Sequence, residues 1–160
     1  MDSGGMDFAW HDHPRWQDCQ QAFHPDGSLR DLLVPGTTLK DWDRLLAFAR
    51  QAGGRFSRDG VEAPLPGRAA DVPLDRSATH LLELTAGRAA LHCHFFAEEE
   101  IEFDLDPRDI ATEADFDALT AFMTDLGRIL AKTIRLTEES HPDLLWFAFD
   151  PSTGRWQCPA

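Results

Sequence analysis

Between residues 88 and 105 apolar and polar positions alternate almost without a break. Ala89, Leu91, Cys93 and Phe95 fall on one side, and Ala90, His92 and His94 on the other. Further on, Ile101, Phe103 and Leu105 alternate with Glu100, Glu102, Asp104 and Asp106. A period of two marks strands with one face buried. The pattern predicts strands at 88–96 and 100–105, and a preceding strand at 79–85 joined through Ala86-Gly87. A three-residue turn at Ala97-Glu98-Glu99 sets Phe95 against Ile101, Cys93 against Phe103 and Leu91 against Leu105. The same register puts His94 opposite Glu102 and His92 opposite Asp104. A two-residue turn would set Cys93 against Glu102 and bury the acid, which is costly. With Ala86-Gly87 as a two-residue turn, Leu81 lies beside His92 and Glu83 beside Ala90.

Elsewhere the period becomes helical. Leu39, Trp42, Leu45, Leu46 and Ala49 form one stripe over 38–52, and Phe116, Leu119, Met123, Leu126 and Leu130 form another over 113–131. Thr38 with Asp41 has the spacing of an N-terminal cap pair, and Gly53-Gly54 stops the first helix. "TLKDWDRLLAFARQAG" (38–53) and "TEADFDALTAFMTDLG" (112–127) align without gaps and match at seven of sixteen positions. This echo reads as two degenerate β-α-β-β units, with convergence of capped helices as the alternative. Further strands are expected at 30–34, in a hairpin through Asp59-Gly60, at 133–137 and at 144–149, the last two separated by a turn at 141–143. The last strand is apolar on both faces and should lie inside the sheet. Residues 64–77 read as a loop and 1–27 as a weakly structured segment ahead of one domain at 28–160. The fold class is α+β: a mainly antiparallel sheet with two amphipathic helices on one face.

Charge changes the picture more than composition does. The net charge is −13, and residues 98–125 alone carry 11 acids against Arg108. Such a field repels phosphate backbones and anionic membranes and attracts a basic protein. A solvated acidic face that keeps the chain soluble is the plainer reading. No apolar run reaches the ~18 residues of a membrane span. Three cysteines without close spacing argue against a disulfide framework and for a reducing, cytoplasmic setting.

The candidate chemistry sits on the polar side of the alternating strands. Glu83, His92, His94, Glu100, Glu102, Asp104 and Asp106 form the expected partner-binding ladder. His92, His94, Glu102 and Asp104 are the alternative metal set, since His-x-His on a strand puts two imidazoles on one face. Cys93 lies between the histidines in sequence, but alternation sends it into the core, so it is not a nucleophile. No GxSxG, Walker A or GxGxxG motif is present, and no catalytic residue or cofactor is assigned. In size, acidity, α+β pattern and lack of a catalytic motif, the chain resembles the small immunity proteins that bacteria make against their own toxins. It is also similar to acidic secretion chaperones. The first resemblance implies a non-enzymatic binding protein. The acidic cluster itself points to the surface of residues 98–117, with His92 and His94, as what a monomer or homodimer would present to a basic toxin or effector. The rivals are a metal-dependent enzyme or sensor and a chaperone-like homodimer pairing through an edge strand.

Overall fold

The computed structural model describes residues 7–74 and 77–160. The first six residues of the N-terminal segment, and positions 75 and 76 of the expected loop, lie outside the described residues. Ten strands form one antiparallel sheet: β1 (Phe8–His11), β2 (Arg30–Pro35), β3 (Arg55–Arg58), β4 (Val61–Ala63), β5 (His80–Ala86), β6 (Ala89–Ala97), β7 (Glu100–Leu105), β8 (Ile134–Glu138), β9 (His141–Asp150) and β10 (Arg155–Pro159). The helices are α1 (Trp16–Cys19), α2 (Leu39–Gln51) and α3 (Glu113–Leu130). The strand order is β1-β10-β9-β8-β2-β7-β6-β5-β3-β4. The expected α+β class is therefore what the chain adopts.

α2 and α3 pack on the same side of the sheet. Trp42 of α2 meets Phe95 of β6 at 5.1 Å, and Phe122 of α3 meets Phe103 of β7 edge-on at 5.6 Å. One continuous core runs from Cys19 and Phe23 through both helices to Phe147, Phe149 and Trp156. Both helices begin with a reciprocal cap, in which Asp41 accepts from the Thr38 N–H and Asp115 from the Thr112 N–H. Echo-equivalent Phe48 and Phe122 touch edge to face at 5.9 Å, so the two matched stripes meet each other as well as the sheet. The echo ends at its glycines. Gly53 takes φ +74° just past α2, whereas Gly127 is inside α3, where a Cβ would come within 2.8 Å of the Phe149 ring.

Three connections differ from the sequence reading. Ala97 pairs with Glu100, with an irregularity between His94 and Ala97, so the β6–β7 turn narrows to Glu98-Glu99 and Phe95 is displaced from Ile101. The cause is the β2–α2 corner: Gly36 and Thr37 N–H donate to the Glu99 carbonyl, and Thr37 Oγ1 and Trp42 Nε1 donate to the Glu98 carbonyl. The β5–β6 turn is Gly87-Arg88, because Gly87 takes the positive φ (60°) that a tight hairpin needs at its first central position. Its register is two residues from the expected one, which preserves the faces but moves the neighbours. The β8–β9 hairpin turns at Glu139-Ser140, so β9 starts at His141. There Asp31 accepts the Ser140 N–H at 2.9 Å and Glu139 accepts the Leu29 N–H at 3.0 Å. β9 lies inside the sheet, between β10 and β8, as its apolar character requires.

Within the segment expected to be weakly structured, the described residues form β1, α1 and a short 3-10 turn over Gln20–Phe23. Phe23 and Cys19 are buried in the common core. Arg30, also buried, holds this segment by donating to the Ala22, His24 and Leu29 carbonyls while pairing with Glu138 at 3.2 Å. The guanidinium fork reaches several carbonyls at once, which an ammonium could not do.

Candidate functional site

The face of the sheet opposite α2 and α3 is built from two cross-strand rows. One runs Arg55, Glu83, His92, Asp104, Asp31, Thr137 across β3, β5, β6, β7, β2 and β8. The other runs Ser57, Leu81, His94, Glu102, Leu33, Arg135 across the same strands. The expected oppositions of His94 with Glu102 and His92 with Asp104 are present. Glu83 stands beside His92, not Ala90, and Leu81 beside His94, not His92.

Hydrogen bonds and one longer ion-pair contact run along and between the rows. His94 Nε2 is 2.6 Å from Asp104 Oδ2, and His92 Nδ1 is 3.6 Å from Asp104 Oδ1. His92 Nε2 lies 3.2 Å from Glu83 Oε1. Asp104 thus bridges both imidazoles, and Glu83 extends the chain to four groups. His94 also stacks on Phe96 at 4.9 Å. The hydrogen bond to Asp104 raises the His94 pKa from its ordinary value, against the opposing effect of burial.

Asp31 completes the site and is absent from the sequence-level set. It lies directly opposite Asp104 and is 6% exposed. Burial raises its pKa, and the neighbouring Asp104 charge adds to this, while the Ser140 N–H opposes it. Glu102 is raised likewise, first by burial and then by the Asp31 charge. Alternation in "RDLLV" does put Asp31 and Leu33 on one face. What alternation leaves open is that β2 pairs with β7, 70 residues later in the chain, so local pattern gave no reason to join Asp31 to Asp104.

Other acids leave the ladder. Asp106 follows the end of β7, caps a short turn and pairs with Arg108 at 2.6 Å. Asp109 and Asp115 face Arg88 at 3.9 and 3.2 Å, on the α3 side. The charge of residues 98–117 is therefore split between the two sides of the molecule. Cys93 is fully buried on the helix side, and its pKa is raised by burial, as alternation required.

Comparison with protein-family models, curated proteins and solved structures finds no match. The chemistry must be read from the geometry. Among the described residues, no group of three or more His, Cys, Asp or Glu is disposed to hold a metal ion. In the alternative metal set, Asp104 stands between the two histidines and engages both, so the donors form a chain and do not converge on one point. Carboxylates opposed across paired strands repel each other. At the centre of these rows they hold negative charge without an Arg or Lys in the same row closer than Arg55 and Arg135 at the ends. Such a surface can receive a cation, and a proton held on His94 moderates the charge. A separate cavity of about 730 Å³ lies between the N-terminal segment and the β7–α3 connection, lined in part by Trp16, Phe23, His24, Arg108 and Trp146.

Proposed function

We propose that the protein is a non-enzymatic binding protein whose sheet face opposite α2 and α3 engages a basic partner, in the manner of an immunity protein neutralising a toxin in the cytoplasm. One observation carries the reading: Asp31 and Asp104 oppose each other at the middle of the sheet, with Glu102 beside them, on the face away from α2 and α3. Like charges placed this way cost stability in the isolated chain. A guanidinium or ammonium from a partner removes that cost, so binding gains from an arrangement that folding does not favour. Glu83, Glu100, His92 and His94 widen the surface. Asp106, already paired with Arg108, contributes least. Among the described residues, no helix is long and apolar enough to cross a membrane.

The test is co-expression with a basic toxin encoded beside the gene. The wild-type chain should restore growth, and a Glu83→Lys, Glu100→Lys, Glu102→Lys variant that folds normally should not. Equal protection by both would remove this face from the function.

A further inference from the structure

The cavity of about 730 Å³ differs in charge from the molecule around it. The chain has 28 acids against 15 Lys and Arg, yet among the described residues that line this cavity there is no Asp or Glu. Its ionisable groups are Arg108 and His24, and its other polar side chains, Gln20 and Gln21, are neutral amides. No residue of the two cross-strand rows lines it, so it is separate from the outer face.

Its walls are held by the core behind them. Trp16 and Phe23 pack on Phe116 of α3, with ring centres 5.5 and 6.2 Å away. Trp146 of β9 donates from Nε1 to Glu138 Oε2 at 3.0 Å, and the same oxygen pairs with Arg30 Nε at 3.2 Å. Arg30 also donates to the Ala22 and His24 carbonyls. One ion pair thus fixes both the indole of β9 and the backbone of the N-terminal segment. Walls fixed in advance lose little freedom when a ligand arrives. Arg108 is oriented in a similar way. Its Nε and Nη2 donate to Asp106, which lines an adjoining cavity of about 330 Å³ and not this one. Among the described residues, nothing accepts from Arg108 Nη1 or bonds to the His24 ring.

We propose that this cavity binds a small aromatic acid, its ring among Trp16, Phe23 and Trp146 and its carboxylate or sulfonate at Arg108 and His24. The volume falls within the roughly 300–1,000 Å³ of small-molecule sites, and the lining has their character: apolar rings for burial and a few polar groups for orientation. A guanidinium N–H and an imidazole N–H both donate, so together they fit an acceptor, and the guanidinium adds positive charge. A cation, which the molecule as a whole attracts, meets Arg108 here and no acid. The cavity and the outer face therefore take ligands of opposite sign.

The experiment titrates the full-length chain with 8-anilinonaphthalene-1-sulfonate and, separately, with N-phenyl-1-naphthylamine, the same ring system without the anion. Probe fluorescence reads binding. The sulfonate should occupy one site per chain and bind several-fold more tightly than the neutral probe. Arg108→Gln should weaken the sulfonate roughly 5–20-fold and leave the neutral probe within about twofold. Ala111→Trp fills the cavity from an exposed position and should block both probes. Both substitutions are at exposed positions, and circular dichroism checks that the variants fold. The proposal is overturned if neither probe binds, if the neutral probe binds as tightly as the sulfonate, if Arg108→Gln leaves the sulfonate affinity unchanged, or if both probes still bind folded Ala111→Trp.

Discussion

Asp104 favours the protonated form of His94. Because it accepts from His94, the imidazolium is favoured in the folded chain over the unfolded one. A raised folded-state pKa contributes stability that is fully present below the ordinary histidine value of about 6.5 and is lost as pH rises through the folded value. Tm should therefore fall as pH rises from the ordinary histidine value through the raised folded one, and Asp104→Asn should flatten that slope. An NMR titration should show the His94 pKa dropping in the same variant; an unmoved midpoint would refute the assignment. Asp31 has the same sign and a different consequence. Its raised pKa means that its charge opposes folding at neutral pH, and the cost disappears as pH falls through the folded value. Asp31→Asn, which keeps an oxygen to accept the Ser140 N–H, should stabilise the free protein by about 0.5–2 kcal/mol at neutral pH, measured by urea unfolding. The same change should weaken partner binding. A variant that loses stability would mean that the carboxylate is needed by the fold itself.

At the scale of elements, local chemistry was legible where it repeats. The period-two run gave β6 and β7 and their shared register at His92, Cys93 and His94. The 3.6 period gave both helices nearly to their ends, because capping boxes at Thr38 and Thr112 and apolar stripes agree there. Turn positions were less legible. Gly87, Glu98-Glu99 and Ser140 are fixed by a positive φ or by hydrogen bonds from β2 and its flanks, distant in sequence. β1 and β10 were missed because they are short: the four residues of β1 show no alternation, and Arg155–Cys158 alternate over too few positions to stand out, so each is defined by pairing at the sheet margin. Gly127 shows tertiary contact overriding propensity. Alanine would favour α3 by about 1 kcal/mol on helix propensity alone. Its Cβ would meet Phe149 at 2.8 Å, with Ile134 close behind at 3.3 Å. Overpacking of this kind typically costs 1–3 kcal/mol, so Gly127→Ala should lower the urea midpoint at unchanged m-value. A raised midpoint would show that the Phe149 ring can yield.

For the whole molecule, sheet order turns scattered acids into a surface. Net charge and its concentration in residues 98–125 were visible in the sequence, but their placement was not. The order β2-β7-β6 brings Asp31 to Asp104, while the β7–α3 connection carries Asp106, Asp109 and Asp115 away to pair with Arg108 and Arg88. Location of charge and total charge are thus separate properties of the molecule. A matched pair of variants makes that distinction measurable. Glu83, Glu100 and Glu102 changed to Lys reverse the outer face. Glu113, Asp117 and Asp125 changed to Lys make the same net change on exposed positions of α3. Calorimetric titration with the basic partner, at low and moderate salt, compares the two. The outer-face variant should lose roughly 2–5 kcal/mol of affinity and most of its salt dependence, while the α3 variant stays within about 1 kcal/mol of wild type. Equal losses in both variants, or a loss confined to the α3 variant, would contradict the claim that the sheet face opposite the helices is where the partner binds.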